Sequence, residues 1–245
     1  MTHRSGTVRV IMGTAMVALA LGLSAPAGAG EADGMAAHPP ATATSIVFSP
    51  TGRGTPGTRI IGSVRGVAGS PLVAALTPPD TGETTLAQPT LHWFVSHPVE
   101  ARVEITVVDE RTQRTVLETT ADGPVRPGIW AFPLGPHRVT LEPGVEYRWS
   151  VSLVRDPAQR SLDLFASGTI LRVDLPQDLA ARLNRSRPAE LPYALAGAGL
   201  WYDALAILSA QIAADPADPA PRAARADLLR QVDLPEAAAF DGARG

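Results

Sequence analysis

The segment Leu141-Glu142-Pro143-Gly144-Val145-Glu146-Tyr147 constrains this chain more than any other. Pro-Gly makes a turn. An alternating run follows, with Tyr147, Trp149, Val151 and Leu153 set against Arg148, Ser150 and Ser152. Period-two alternation is the mark of a strand buried on one face. A Tyr at the start of such a strand can pack its ring inward and turn its hydroxyl back to the upstream backbone. That is the tyrosine-corner pattern of immunoglobulin-like and fibronectin-type sandwiches. It specifies a fold and names no chemistry.

Further strands are expected at regular spacing: residues 91–96, 103–107, 115–120, 129–134 and a long last strand over 161–174, with Gly168 a bulge or bend. Trp93, Val103, Ile105, Val107, Tyr147, Trp149 and Val151 form the predicted core. The period changes at Pro176. Short helices are read over 178–185 and 190–198, and a last one over 222–232. Between them, Trp201, Ala204, Leu205, Leu208 and Ile212 make one continuous apolar stripe on a helix over 199–214, which Asp215-Pro216 stops. Gly199, Ala204, Leu208 and Pro216 sit where a tetratricopeptide unit places its turn, packing and terminating residues. Only one copy is present. A lone repeat cannot bury its own apolar face, so the tail is expected to dock on the sandwich.

The fold class expected is therefore α+β: an immunoglobulin/fibronectin-type antiparallel β-sandwich followed by a small tetratricopeptide-like helical tail. Residues 1–29 read as a secretory signal, with Arg4 and Arg9 ahead of an apolar run from Val10 to Leu23 and a small-residue cleavage site after Ala27 or Ala29. That run is shorter than the ~20 residues of a spanning helix. Residues 30–45 are read as a flexible leader, 46–175 as the sandwich with a Gly/Arg-rich loop at its start, 176–235 as the docked tail and 236–245 as a flexible C-terminus. The expected location is periplasmic or secreted, with no stable membrane insertion after cleavage.

Composition narrows the chemistry. The chain has no Cys and no Lys, so its 21 basic residues are all Arg. Without Cys there are no disulfides, no thiolate nucleophile and no Cys-ligated metal. Cleavage would leave 19 basic against 24 acidic residues, a net charge of −5. That mildly acidic, unclustered balance argues against nucleic acid and against a polybasic membrane patch. The Gly/Pro-dense stretch over 49–71, with Arg59, Arg65 and Gly66, reads as an ordered loop guarding a sheet edge, or as an anion-binding nest.

No catalytic set emerges. Ser161 lies near Asp156, Arg160 and Asp163, but no His base is placed to activate it. Arg160 reads instead as a bridge between carboxylates and carbonyls at the start of the last strand. His92 and His97 have the wrong spacing for one face of a strand and lack any metal-binding motif. No cofactor or metal is expected. Asp203, after Trp201 and Tyr202, looks most like a partner contact: on the helix, Tyr202 and Asp203 turn roughly 100° and 200° away from the buried stripe. A local cap near the helix start is the plainer role for Asp203.

Taken together, Asp156-Pro157-Ala158-Gln159-Arg160-Ser161-Leu162-Asp163 with Gly168 and Arg172, then Gly199-Leu200-Trp201-Tyr202-Asp203-Ala204-Leu205, resemble the bacterial, cyanobacterial-type family called domain of unknown function 928. Pro89 to Phe94 is a weaker match. The resemblance covers about residues 48–235. It departs where Ile60-Ile61-Gly62-Ser63-Val64-Arg65-Gly66 keeps one Gly in place of a pair, and where two Cys of the family, near Val67 and Arg155, are absent together. The resemblance implies a fold and an exported location but no reaction. The expected role is a non-enzymatic envelope protein that binds a protein partner or serves as a sensor accessory. A carbohydrate-binding module, using Trp130 and His92 with Phe94, is the alternative. A hydrolase using Asp156 and Asp163 is a third reading.

Overall fold

The structure, a computed structural model, describes residues 45–63 and 70–243; the expected signal and leader, together with Arg65, lie outside them. The fold is α+β, with two sheets followed by five helices. Strands β1 (Ile61–Ser63), β2 (Leu72–Ala75), β4 (Thr90–Val95) and β7 (Gly128–Pro133) form a four-stranded antiparallel sheet in the order β1-β2-β4-β7. The second sheet joins β3 (Gly82–Thr84), β5 (Arg102–Asp109), β6 (Arg114–Asp122), β8 (Glu146–Val154) and β9 (Leu164–Arg172) in the order β3-β9-β8-β5-β6. Among the described strands only β3 runs parallel to its neighbour, β9.

All seven residues expected in the core are buried, and side chains from both sheets join one continuous apolar cluster. The corner before β8 forms as anticipated: the Glu142 amide donates to the Tyr147 hydroxyl at 3.1 Å. Arg172, at the end of β9, steadies the same turn by donating to the Leu141 carbonyl at 2.8 Å. Two expectations are corrected. Ser161 is in a short 3-10 turn over Arg160–Leu162, and the last strand begins only at Leu164. Gly168 is not a bulge, since it pairs in register with Trp149. It is glycine because a Cβ there would stand 2.2 Å from Thr77 Cγ2.

The helices are α1 (Gln177–Leu183), α2 (Leu191–Gly197), α3 (Trp201–Ala214), α4 (Pro219–Arg230) and α5 (Pro235–Gly242). The stripe Trp201, Ala204, Leu205, Leu208 and Ile212 is buried, as its spacing requires. Residues 236–242, expected to be flexible, are helical, and α5 buries Ala237, Ala238 and Asp241. The described residues form a single compact unit. Among the described residues no helix is long and apolar enough to cross a membrane.

Helix α5 packs on β4 and β7 of the four-stranded sheet, while α3 packs chiefly on β3. Phe94 of β4 meets Phe240 of α5 edge-on, with ring centroids 5.6 Å apart. This explains why β4 is buried on both faces instead of alternating. His92, two residues earlier on the same face, is buried too. Its Nδ1 has no hydrogen-bond partner among the described residues. Burial and then the nearby Arg225 cation push its pKa down to about 3, against a backbone hydrogen bond to Thr90 that raises it. Arg225 belongs to a buried ion pair that ties α4 to α5. Its Nε and Nη2 donate to Asp241 at 2.6 and 2.8 Å, and its Nη1 donates to Ser209 Oγ of α3 at 2.9 Å.

Because the folded-state pKa of His92 is depressed below the ordinary value of about 6.5, the unfolded chain takes up the proton first. Its contribution is therefore whole above about pH 6.5 and is lost as pH falls toward 3. Denaturant unfolding followed from pH 7 to pH 4 is expected to show falling stability. His92→Leu should remove a component of that fall of roughly 3–4 kcal/mol. An unchanged slope in the variant would refute the assignment.

Candidate functional site

Of the described residues that sequence reasoning singled out, Arg172 steadies the corner before β8 and the others fall into two separate places, while the seam between sheets and helices also draws in residues it did not anticipate. The first place is the start of α3. Gly199, with φ +81°, turns the chain from α2 into α3, and a Cβ there would stand 2.6 Å from Thr51 Cγ2 and 2.9 Å from the Ser49 carbonyl. Left-handed backbone and this close approach both demand glycine. The loop passing over it is held by the Ser49 amide, which donates to the Ala196 carbonyl at 3.1 Å.

Three consecutive side chains then leave α3 toward the sheets. Trp201 Nε1 donates to the Leu76 carbonyl at 2.8 Å. The Tyr202 hydroxyl accepts from Trp149 Nε1 at 2.8 Å, donates to the Thr169 carbonyl at 2.9 Å and lies 3.1 Å from Thr77 Oγ1. Asp203 accepts from the Thr84 hydroxyl, from the Thr85 amide at 3.0 Å and from the Thr85 hydroxyl at 2.6 Å. Burial pushes the Asp203 carboxyl up, and the threonine hydrogen bonds pull it back down. Burial likewise raises the Tyr202 phenol.

These contacts correct the reading of Asp203 as a partner contact. Trp201 and Tyr202 are fully buried and Asp203 nearly so. The helical wheel was right about direction, but α3 is covered on more than the stripe, because β3 and the end of β2 wrap its first turn. Nor does Asp203 act as a local cap. Its carboxylate is spent on β3 and the residue that follows it.

The second place is the turn before β9. Arg160 grips Glu104 of β5 with two hydrogen bonds of 3.0 and 2.6 Å, and its Nε lies 2.9 Å from Asp163 Oδ2. Its hydrogen bonds to Glu104 raise the Arg160 pKa and lower that of Glu104. Asp156 accepts from the Ala158 amide at 2.8 Å and from Gln159 Nε2 at 3.1 Å, which closes the turn. Arg160 thus bridges carboxylates, as expected, though not carbonyls. Ser161 is exposed on the turn. This is a surface clamp on the β5 side of the molecule, distinct from the α3 seam.

The cleft at the seam lies along the Gly/Pro-dense stretch that the sequence marked and is completed by Phe48, Pro79, Glu83 and Gln231, which it did not mark. Segment 46–59 runs between helices and sheets. Gln231 at the end of α4 clasps it by accepting from the Phe48 amide and donating to the Ile46 carbonyl, both at 2.9 Å. Phe48 packs edge-on against Trp201, with centroids 5.0 Å apart. Beside them opens a cleft of about 160 Å³ with Phe48, Pro50, Pro79 and Gln231 on its walls. Arg53 and Glu83 also line it. Arg53 donates to both Glu83 oxygens at 2.8 and 2.7 Å, and the Thr51 hydroxyl donates to the same carboxylate. The Glu83 side chain is 2% exposed, whereas that of Arg53 is 55% exposed.

The loop's own amides are largely committed. Thr55 donates to Thr81 Oγ1 at 3.1 Å, Gly57 to Asp80 at 2.8 Å, and Thr58 and Arg59 to the Pro79 carbonyl at 2.9 and 3.2 Å. The stretch is an ordered strip along the seam. Its only sequence signal was Gly/Pro density with interspersed Arg, and Glu83 gave none, because a three-residue strand has no readable period.

The aromatic residues considered for glycan binding are largely hidden. His92 and Phe94 lie under the helices. Trp130 stacks on Trp93 with centroids 6.2 Å apart, and its Nε1 is used on the Arg126 carbonyl. His137 stacks on Phe132, and Ser96 pairs with His97. Among the described residues no group of three or more His, Asp or Glu side chains gathers as a metal site would require.

The chain belongs to the family described as Domain of Unknown Function (DUF928), whose family model matches residues 57–240. The matched span runs from the Gly/Arg loop through α5 and so takes in both the α3 seam and the Arg160 clamp. A comparison with curated proteins finds no match. Among solved structures, a multi-domain immunophilin from Arabidopsis thaliana is similar at 8% identity over 82% of this chain and 99% of that chain, with a TM-score of 0.17. A score that low says nothing about the fold.

Removing the Tyr202 hydroxyl strands Trp149 Nε1 and the Thr169 carbonyl in a dry interior. Tyr202→Phe is expected to cost about 1–3 kcal/mol of stability in urea. The exposed Arg160 clamp should give way far more cheaply, with Arg160→Ala leaving the urea midpoint close to that of the wild type. Equal losses in the two variants would contradict this ranking.

Proposed function

We propose that this is an exported, non-catalytic cell-envelope protein that binds a partner protein, as a recognition or sensor-accessory module. On this reading the two sheets are an immunoglobulin/fibronectin-type sandwich and α2 to α4 a tetratricopeptide-like unit fused to it. The Glu142–Tyr147 hydrogen bond supports the former. The Gly199 turn, with Ala204 and Leu208 buried behind it, supports the latter.

The observation that carries the reading is where the chemistry-bearing residues are used. Trp201, Tyr202 and Asp203 join helices to sheets, while Asp156, Arg160 and Asp163 close a turn. A rigid two-part body suits recognition, because little ordering entropy remains to be lost on binding. The seam cleft is below the ~300–1,000 Å³ usual for small-molecule sites. It suits one protruding side chain of a partner, with the exposed face of Arg53 at its mouth. Export rests on the N-terminal pattern of Arg4, Arg9 and the apolar run to Leu23.

The test is capture from the envelope fraction with the purified protein as bait, compared with Pro79→Arg, which fills the cleft from an exposed wall. A stoichiometric protein retained by the wild type and lost with Pro79→Arg, at unchanged melting temperature, is the expected result. Turnover of cell-wall glycan by the purified protein, abolished by Asp156→Asn with Asp163→Asn, would overturn the proposal in favour of a hydrolase.

A further inference from the structure

Residues 45–50 lie across the helices as a separate ligand would. They belong to no helix or strand. Burial alternates along them: Ile46 is 2% exposed and Phe48 is partly buried, whereas Ser45, Val47 and Ser49 are exposed. That is the period of an extended chain with alternate side chains pressed down. Neither sheet takes these residues into its ladder. Among the described residues their one backbone–backbone hydrogen bond runs from the Ser49 amide to the Ala196 carbonyl, at 3.1 Å.

Three helices supply the contacts. α2 offers that Ala196 carbonyl, α3 offers the Trp201 ring to Phe48, and Gln231 closes the site from the end of α4. In an extended chain the carbonyl of one residue and the amide two residues on point to the same side. Gln231 meets such a pair with its primary amide, accepting from the Phe48 amide and donating to the Ile46 carbonyl. A primary amide both donates and accepts, so it matches both groups at once. Gln231 Nε2 also donates to the Asp227 carbonyl at 3.1 Å, so its own helix fixes the direction of the amide. Main-chain bonds that accept any sequence, with alternate side-chain anchors that select one, are how extended peptides are recognised.

The segment is joined to the sheets only beyond this contact. From Thr51 onward the chain is tied down, by Thr51 and Arg53 to Glu83 and by the Gly57 amide to Asp80. Between the two anchorages stands Gly52, with φ +72° and nothing within 4 Å of where a Cβ would be. Its glycine serves the turn and not a close approach. Residues 45–50 can therefore leave the helices by a change at Pro50 to Gly52 without breaking the Arg53–Glu83 pair.

We propose that the surface across α2, α3 and the end of α4 is a binding site for an extended peptide segment bearing two large apolar side chains two residues apart, and that residues 45–50 are its resident, displaceable occupant. A partner protein offers a segment of the same pattern, which takes the places of Ile46 and Phe48. The tether holds the resident at an effective concentration on the order of millimolar, and a partner segment must outcompete it. This names the partner's recognition element and so rests on the reading of the protein as a recognition module. A peptide experiment, however, probes this site alone, and it can fail while capture through the Pro79 cleft succeeds, or the reverse.

The test is fluorescence anisotropy of the labelled peptide Ser-Ile-Val-Phe-Ser-Pro, the sequence of residues 45–50, titrated with the full chain. Ile46→Ser with Phe48→Ser in the chain removes the resident's anchors and is expected to bind the peptide about tenfold or more tighter than the wild type does. Adding Gln231→Glu sets a carboxylate against the peptide's Ile carbonyl and should abolish that gain. A peptide with Ile and Phe both replaced by Ser should not bind. A second measurement needs no emptied site. The chain has no Cys, so Val47→Cys, at a position 57% exposed, carries a single spin label. Millimolar peptide should make that label more mobile in an otherwise wild-type chain. No gain in affinity on emptying the site, indifference to Gln231→Glu, or a label that the peptide leaves unchanged would each overturn the proposal. A wild-type dimer that the peptide dissolves would place the occupant in a neighbouring copy and overturn the assignment of residues 45–50 as the resident of their own chain.

Discussion

The first turn of α3 is the contact on which the arrangement of this molecule depends. Sheet edges and helix starts both carry backbone groups without regular partners. Here three adjacent side chains of the helix start satisfy groups at the edges of the sheets. Tyr202 reaches the carbonyl of Thr169 on β9, near where β3 and Ile60 cover the rest of that edge. Trp201 takes the carbonyl at the end of β2, and Asp203 takes the amide and hydroxyls that follow β3. Each bond is made in a dry interior, where a missing partner costs more than a made bond contributes. The seam is therefore specific as well as cohesive.

A second consequence follows for the layer of helices. With α3 anchored, α4 and α5 are carried onto the outer face of the four-stranded sheet, where the Arg225–Asp241 pair holds them to each other. Burying that pair is worth little in net stability, but it leaves few other arrangements in which both charges are satisfied. His92 lies close by with an unpaired Nδ1, so this layer tolerates one cation and has no place for a second.

The residues most suggestive of chemistry turn out to be the ones that assemble the body. Asp156, Arg160 and Asp163 shape a turn, and the aromatic and acidic residues of α3 fill the seam. The surface beside the seam keeps a shallow cleft with a half-exposed Arg53 at its mouth.

The sequence alone determined the regular elements whose periodicity is long enough to read. The strands around Trp93, Ile105 and Trp149, the Tyr147 corner and the stripe of α3 all follow from spacing, because one face of each must leave water. It could not determine β1, β2 and β3, which are too short for any period, or α5, whose run of alanines carries no stripe. Nor could it place Glu83 under Arg53 or Tyr202 against Thr169, since these partners lie 30 and 33 residues apart. Only the tertiary structure decided which faces of α3 are covered. A helical wheel describes one helix in isolation, whereas burial depends on what the remainder of the chain lays against it.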